Sequence, residues 1–154
     1  MSHACRYMKL MEQVTQTRQS ELDNSYHAAL YLMASEPSLA EKISRYITRD
    51  GIDFPVLMKK ERFDYDWMKT VADAAHNLFS WTSKCGATPF ELSRLPHPYT
   101  QMVCNAMFVA NGDYEVKIRQ NEQEQDEIVL DNTRGRQREA IESQFERFTA
   151  GMEQ

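Results

Sequence analysis

The amino-acid sequence predicts an all-α protein, and three observations carry that prediction. Glycine and proline are scarce, at five residues each, whereas the turns of a β-rich fold need many of both. Apolar residues recur at intervals of three and four through most of the chain, which is the period of an amphipathic helix. Candidate capping residues stand where these apolar stripes begin and end. We therefore expect a single domain of 154 residues, with six or seven helices in a compact bundle and a C-terminal helix added to them.

The first three stripes predict helices over residues 6–20, 25–35 and about 39–47. Asp23 or Asn24 is placed to cap the second helix through its side chain. Pro37 separates the second helix from the third, because the residue before a proline disfavours the helical conformation. Asp50 and Gly51 are typical of a helix end and close the third.

The next two helices are predicted over residues 54–60 and 66–84. Asp53 caps the shorter one, and Pro55 fits its first turn, where no backbone donor is needed. The longer one has the widest apolar face, with Asp66 as its cap and Gly86 as its stop. Small alanines in the middle of that face favour close approach of a neighbour, so we expect this helix at the centre of a compact bundle.

Beyond residue 84 the pattern predicts two further helices and then changes. Thr88 and Glu91 form a capping box that starts a short helix, and a longer helix over 99–110 ends at Asn111 and Gly112. Alternating apolar residues over 114–118 predict a short strand, and the apolar residues 128–130 leave two alternatives open, a strand that pairs with the first in a β-hairpin or the start of a helix. A C-terminal amphipathic helix is predicted over 136–151.

The charge of the chain divides at Asn111. Residues 1–111 hold 12 basic and 12 acidic side chains, whereas residues 112–154 hold 6 basic and 11 acidic ones, which accounts for the whole net charge of −5. This division predicts a neutral helical body over 1–111 and an acidic C-terminal extension over 112–154, together in one structural domain. The extension is the part of the chain where we expect function.

Composition restricts the class of protein. The mild acidity disfavours a general nucleic-acid binder, which carries a basic face. Three cysteines, with no CxxC pair, favour reduced thiols and hence a cytoplasmic location. The sequence holds no apolar run of the length that spans a membrane and no apolar stretch typical of a signal peptide, so we expect no membrane partner.

Few residues in the sequence indicate a catalytic or metal-binding role. Asp73 and His76 lie three apart on the widest helix, which is one half of the ligand set of a bundle di-metal site. The sequence has no second such pair, so a polar flank beside the core stripe is the favoured interpretation, and a metal-binding or enzymatic bundle stays an alternative. GxSxG, P-loop and GxGxxG motifs are missing. We therefore predict no catalytic residue and no cofactor, and we lean against an enzyme.

Basic residues cluster on the third and fourth predicted helices, as Lys42, Arg45, Arg49, Lys59 and Lys60. Positive charge near helix C-termini is favoured by the helix dipole, which is the simpler explanation. The alternative function is a nucleic-acid-associated regulator that uses these side chains. Interleaved acidic residues and the neutral sum of the body weaken that alternative.

The C-terminal helix carries an apolar stripe of Ile141, Phe145, Phe148 and Met152. Such a stripe needs a partner surface, either the body of the same chain or another chain. Packing on the body is slightly favoured, because a terminal helix persists only when it is docked. The leading hypothesis for function is protein–protein interaction, with the stripe as the apolar anchors of a helix-in-groove contact or a homodimer.

Five short segments carry a resemblance. They are 26–34 (YHAALYLMA), 52–54 (IDF), 74–79 (AAHNLF), 92–95 (LSRL) and 105–106 (NA). Together they resemble a small uncharacterised helical family of Gram-positive bacteria, whose members are often found on phage and mobile elements. The resemblance covers about residues 23–110. It implies a compact helical fold and no established activity, and it assigns no site residue.

Overall fold

The computed structural model describes residues 1–18 and 21–153, and 62% of these residues are helical. The described part has eight helices and two short hairpins. The helices are α1 (His3–Arg18), α2 (Asn24–Ala34), α3 (Pro37–Ser44), α4 (Phe54–Lys60), α5 (Asp66–Phe79), α6 (Pro89–Ser93), α7 (Tyr99–Ala110) and α8 (Thr133–Met152). The strands are β1 (Ile47–Thr48), β2 (Gly51–Ile52), β3 (Glu115–Gln120) and β4 (Asp126–Asp131). A mostly helical fold is therefore confirmed, with β structure added to it.

The helix at the centre is α2, and the prediction that the helix starting at residue 66 holds that place is wrong. Eight of the 11 residues of α2 are buried, and α1, α3, α5 and α7 all pack against it. A helix that is apolar on every side belongs in the interior. Helix α5 instead buries one face, which includes Ala72 and Ala75, and its small side chains suit close packing on α2.

Side-chain caps fix the first turns of α2 and α3. The Oδ1 atom of Asp23 accepts hydrogen bonds from the backbone N–H groups of Ser25 and Tyr26, at 3.1 and 3.2 Å. Glu36, which the sequence did not single out as a cap, accepts from the backbone N–H of Leu39 at 2.8 Å. Helix α1 starts three residues earlier than predicted, and the last two residues of its predicted range, 19 and 20, lie outside the described residues.

A hairpin between α3 and α4 was not predicted. Helix α3 ends at Ser44, before its predicted end at residue 47. Ile47 then pairs with Ile52 across a tight turn. Gly51 in that turn has a φ of 144°, and a Cβ there would lie 3.2 Å from the hydroxyl of Tyr26. Asp50 and Gly51 therefore make a hairpin turn rather than a helix end.

Helix α5 is five residues shorter than predicted. It ends at Phe79, because Ser80 is extended with a φ of −135°. Asp66 is the first helical residue and not the cap, which is Tyr65 without a side-chain hydrogen bond. Trp81, expected beside the face of a longer helix, lies in the following loop and is 88% exposed.

The short helices agree with their predicted caps. Asp53 accepts a hydrogen bond from the backbone N–H of Val56 at 3.2 Å. The capping box of α6 is complete, since Glu91 donates its backbone N–H to Thr88 at 3.2 Å and accepts that of Thr88 at 2.8 Å. Gly112 follows α7 with a φ of 85°, which is a conformation that glycine adopts without strain.

Of the two alternatives for residues 114–130, the structure shows the β-hairpin. Strands β3 and β4 pair antiparallel from Glu115 opposite Asp131 to Gln120 opposite Asp126. One face of the hairpin packs against the core and α1, through Val116, Ile118, Ile128 and Leu130. The hairpin therefore packs with the body, although the charge division assigned it to the extension.

The polar segment 120–127 forms the end of this hairpin. The Oδ1 atom of Asn121 accepts hydrogen bonds from the backbone N–H groups of Gln123 and Gln125, at 2.9 and 3.0 Å. On the outer face, Arg119 pairs with Glu127 at 2.6 Å. Local side-chain bonds of this kind shape a turn that carries no apolar signal in the sequence.

Three histidines make the stability of this fold pH-dependent. Burial lowers the pKa of His3, His27 and His76 below the ordinary value. His3 lies 2.8 Å from the carbonyl oxygen of Tyr31, and His27 lies 2.9 Å from the hydroxyl of Tyr7. Below about pH 6.5 the unfolded chain binds more protons at these sites than the folded chain does.

We therefore expect the free energy of unfolding to fall as the pH is lowered from about 7.5 to about 5.5. Urea denaturation at both pH values measures this decrease in the free energy of unfolding, and the His27→Gln variant should show a smaller decrease. Carboxylates with lowered pKa values, such as Asp23 and Glu61, act in a separate window below about pH 4. Equal stability at the two pH values would contradict the prediction.

Candidate functional site

The candidate site lies on α8, whose start is fixed to the β3–β4 hairpin. One oxygen of Asp131 accepts from Nζ of Lys117 at 2.6 Å. The other accepts from the backbone N–H and the hydroxyl of Thr133, at 2.9 and 2.6 Å. These hydrogen bonds hold the pKa of the Asp131 carboxyl group well below its usual range, and the bond from Lys117 has the largest effect. The contacts of Asp131 therefore fix the direction in which α8 leaves the β3–β4 hairpin.

A second set of contacts, which we call the clamp, joins the first turns of α8 to the turn between α7 and β3. Arg138 contacts Asp113, with Nη2 2.5 Å from Oδ1. Gly135 lies so close to Asp113 that a Cβ there would meet its carbonyl oxygen at 3.1 Å. Arg134 approaches Glu115 to 3.9 Å. Residues up to 138 of α8 are thus held against the body.

Past Arg138 the apolar residues of the helix face away from the body. Ile141, Phe145 and Phe148 are each 66% exposed and Met152 is 71% exposed, and α8 has no buried residue. The expectation that this face packs on the body is therefore wrong. We call these four side chains the α8 stripe.

The direction of the α8 stripe explains its exposure. Successive helical residues are rotated by about 100°, so Gly135 and Glu142 lie roughly a quarter of a turn from the centre of the stripe, and Arg138 lies between them and the stripe. Those three residues line a concave surface with Phe108 and Asp113, which is the side of the helix that meets the body. Because the clamp holds this side of the helix against the body, the α8 stripe faces away from the body.

The predicted basic cluster is only partly brought together. Arg45 lies between two carboxylates, 2.7 Å from Glu41 and 2.8 Å from Glu61, and Nζ of Lys42 donates to the hydroxyl of Ser38 at 2.9 Å. Arg49 is exposed in the β1–β2 turn. Lys59 and Lys60 are exposed in the last turn of α4, where the helix dipole favours them. A nucleic-acid role for this cluster stays a prediction.

Asp73 and His76 have structural partners of their own. The Asp73 carboxylate accepts the backbone N–H of Gly86 at 2.7 Å, while the His76 ring stacks on Phe54 with centroids 5.1 Å apart. Within the described ranges, no three His, Cys, Asp or Glu side chains are grouped so as to hold a metal ion.

One concave surface was not anticipated from the sequence. A groove of about 440 Å³ lies between α1 and α3. Its lining includes the apolar side chains of Leu10, Pro37 and Ala40 and the basic side chains of Arg6 and Lys9. The groove depends on the packing of two helices that are separated in the chain, so no local pattern could reveal it.

Comparisons with known proteins do not assign a family. No family model matches the chain, and no curated protein and no solved structure matches it either. The resemblance to a helical family of Gram-positive bacteria stays an interpretation of the sequence. In the part of the chain that is described, no helix combines the length and the apolarity needed to cross a membrane.

Proposed function

We propose that the protein acts by protein–protein association through the α8 stripe. One observation supports this most strongly. Four large apolar side chains are aligned on one helix, and each is at least 66% exposed. Together they present roughly 500–600 Å² of apolar surface, since a large side chain of this kind covers about 150–250 Å² when it is buried. Contiguous apolar patches of that size on a monomer usually mark an interaction site.

The construction of α8 supports the same proposal. The helix has 20 residues, and its contacts with the body are in its first turns, where Arg134 and Arg138 form ion pairs. An isolated helix gains little stability in water from its own hydrogen bonds. Burial of the α8 stripe against a partner supplies the apolar contact that stabilises the remaining turns.

The cell compartment of this association is a further part of the proposal. Cys5, Cys85 and Cys104 are all unpaired and half-buried, which supports a reducing compartment such as the cytoplasm. The resemblance to families carried on mobile elements gives a setting in which to seek the partner.

A capture experiment tests the proposed function. A tagged full chain, incubated with lysate and with an untagged copy, is compared with the Phe145→Asp/Phe148→Asp double variant. We expect the double variant to lose the proteins that the parent chain retains, because two carboxylates in an apolar contact leave charges unpaired.

The matched control is the Ser143→Asp/Ala150→Asp variant. It adds the same charge to the opposite side of α8, and we expect it to retain every partner of the parent chain. Capture of the same proteins by the Phe145→Asp/Phe148→Asp variant would exclude the α8 stripe as the interaction surface.

A further inference from the structure

We infer that the partner of the α8 stripe is a second copy of this chain, with the two α8 helices paired antiparallel. The inference rests on the proposed function and names the occupant of the surface. It is supported by the spacing of the stripe, by the charge at the two ends of α8 and by the position of the body at one end of the helix.

The spacing of the α8 stripe matches the seam of a two-stranded coiled coil. Its residues follow one another at intervals of four, three and four, which is the repeat of the inward-facing positions. An antiparallel pair buries all four in a single register. In that register Ile141 lies opposite Met152 of the second copy, and Phe145 lies opposite Phe148.

The attachment of α8 to its body selects the antiparallel direction. Continuing the seam toward the N-terminus places Arg138 and Arg134 on it, and these side chains form ion pairs with Asp113 and Glu115 of the same chain. In a parallel pair the two bodies would lie at the same end of the helix pair and would compete for the same space. In an antiparallel pair the two bodies lie at opposite ends.

The antiparallel register places the same arginines in a favourable position. The second helix ends at the level of residues 139–141, so Arg138 lies beside its last turn. That turn carries Glu153 and the negative end of the helix dipole. At both ends of the helix pair, Arg138, which is also paired with Asp113 of its own chain, therefore lies near the negative end of the other helix.

Space and area are consistent with this pairing. The overlapping residues 141–152 span about 18 Å, and the ion pairs of Arg134 and Arg138 with each body lie outside the overlap, at opposite ends of the helix pair. The two bodies therefore do not compete for the same volume. Burial of both stripes removes about 1,000–1,200 Å² from water, which is close to the lower limit for a specific interface. We expect a reversible dimer with a micromolar Kd.

Cysteine cross-linking tests both the partner and the direction. Two variants of the full chain are prepared, Ile141→Cys and Met152→Cys, and both keep Phe145 and Phe148. Each is oxidised alone and in an equal mixture at about 200 µM, with the parent chain as the control for its own three cysteines. Tryptic peptides 139–147 and 148–154 separate the two positions, so mass spectrometry identifies each linkage.

The antiparallel pair predicts a linkage between positions 141 and 152 in the mixture, at least about ten times more abundant than either self-linkage. If each variant alone formed as much disulfide-linked dimer as the mixture does, the antiparallel direction would be wrong. If the variants formed no more disulfide-linked dimer than the parent chain, and the parent chain sedimented as a monomer at the same concentration, the partner would not be a second copy of this chain. The capture experiment would still decide the proposed function in that case.

Discussion

Replacement of Phe54 by alanine is expected to lower the free energy of unfolding by about 3–5 kcal/mol. Phe54 is 1% exposed. Its ring stacks on His76 at a centroid distance of 5.1 Å and lies 5.5 Å from the ring of Phe79. These contacts hold α4 against α5, and the alanine would leave a cavity that the short helix cannot close. Since small domains have only about 5–15 kcal/mol of stability, the loss should be large in urea or thermal denaturation.

The control is Phe90→Ala, because Phe90 occupies a similar place on another short capped helix. Phe90 is 66% exposed, and the guanidinium of Arg94 lies over its ring, 5.0 Å from the ring centroid. We expect that substitution to cost about 1 kcal/mol or less. Similar losses for the two variants would contradict the core described for α4 and α5.

The second large effect is expected from the Phe145→Asp/Phe148→Asp variant in self-association. Each dimer would hold four carboxylates in its apolar seam, and burial of an unpaired charge is strongly unfavourable. We expect the Kd of the dimer to rise at least about 100-fold. Sedimentation equilibrium measures the change, with the mass of the variant remaining at the 18.0 kDa of one chain.

The same substitutions should leave the monomer unaffected, because both rings are exposed on it. We expect a free energy of unfolding within about 0.5 kcal/mol of the parent value under conditions where both chains are monomeric. The Ser143→Asp/Ala150→Asp control should keep the parent Kd. A large loss of stability in the monomer would show that the stripe is part of the core.

Elements whose signals are local could be predicted from the sequence. Asp53 and Thr88 are recognised as caps because a cap needs only the next two or three residues. Helix α7 follows from its apolar period and from Gly112 after its end. The β1–β2 hairpin was missed because strands of two residues are too short to show an alternating pattern.

The errors in the core have a different cause. Periodicity identifies the most apolar face of a helix, and it gave α5 the central place because that face is wide. In α2 nearly every position is buried, including Ala28, Tyr31 and Ala34, so apolar residues on all sides reduced the apparent contrast between faces. Which helix lies at the centre depends on tertiary packing.

The residues of the candidate site could be predicted from the sequence, but the direction in which they face could not. The four members of the α8 stripe follow from spacing alone. That they face away from the body depends on the contacts of Arg138 and Gly135 with Asp113. Sequence spacing cannot reveal such a tertiary clamp, and the expectation of docking on the body was wrong for that reason.

Hydrogen exchange of the backbone amides tests most directly the claim that the α8 stripe is free of its own body and available to a partner. At a concentration where sedimentation shows a monomer, amides of residues 141–152 should exchange far faster than those of α2, and they should gain protection as the concentration rises. The Phe145→Asp/Phe148→Asp variant should show no such gain. Protection of residues 141–152 equal to that of α2 in the monomer would contradict the claim, because it would place the stripe against the body.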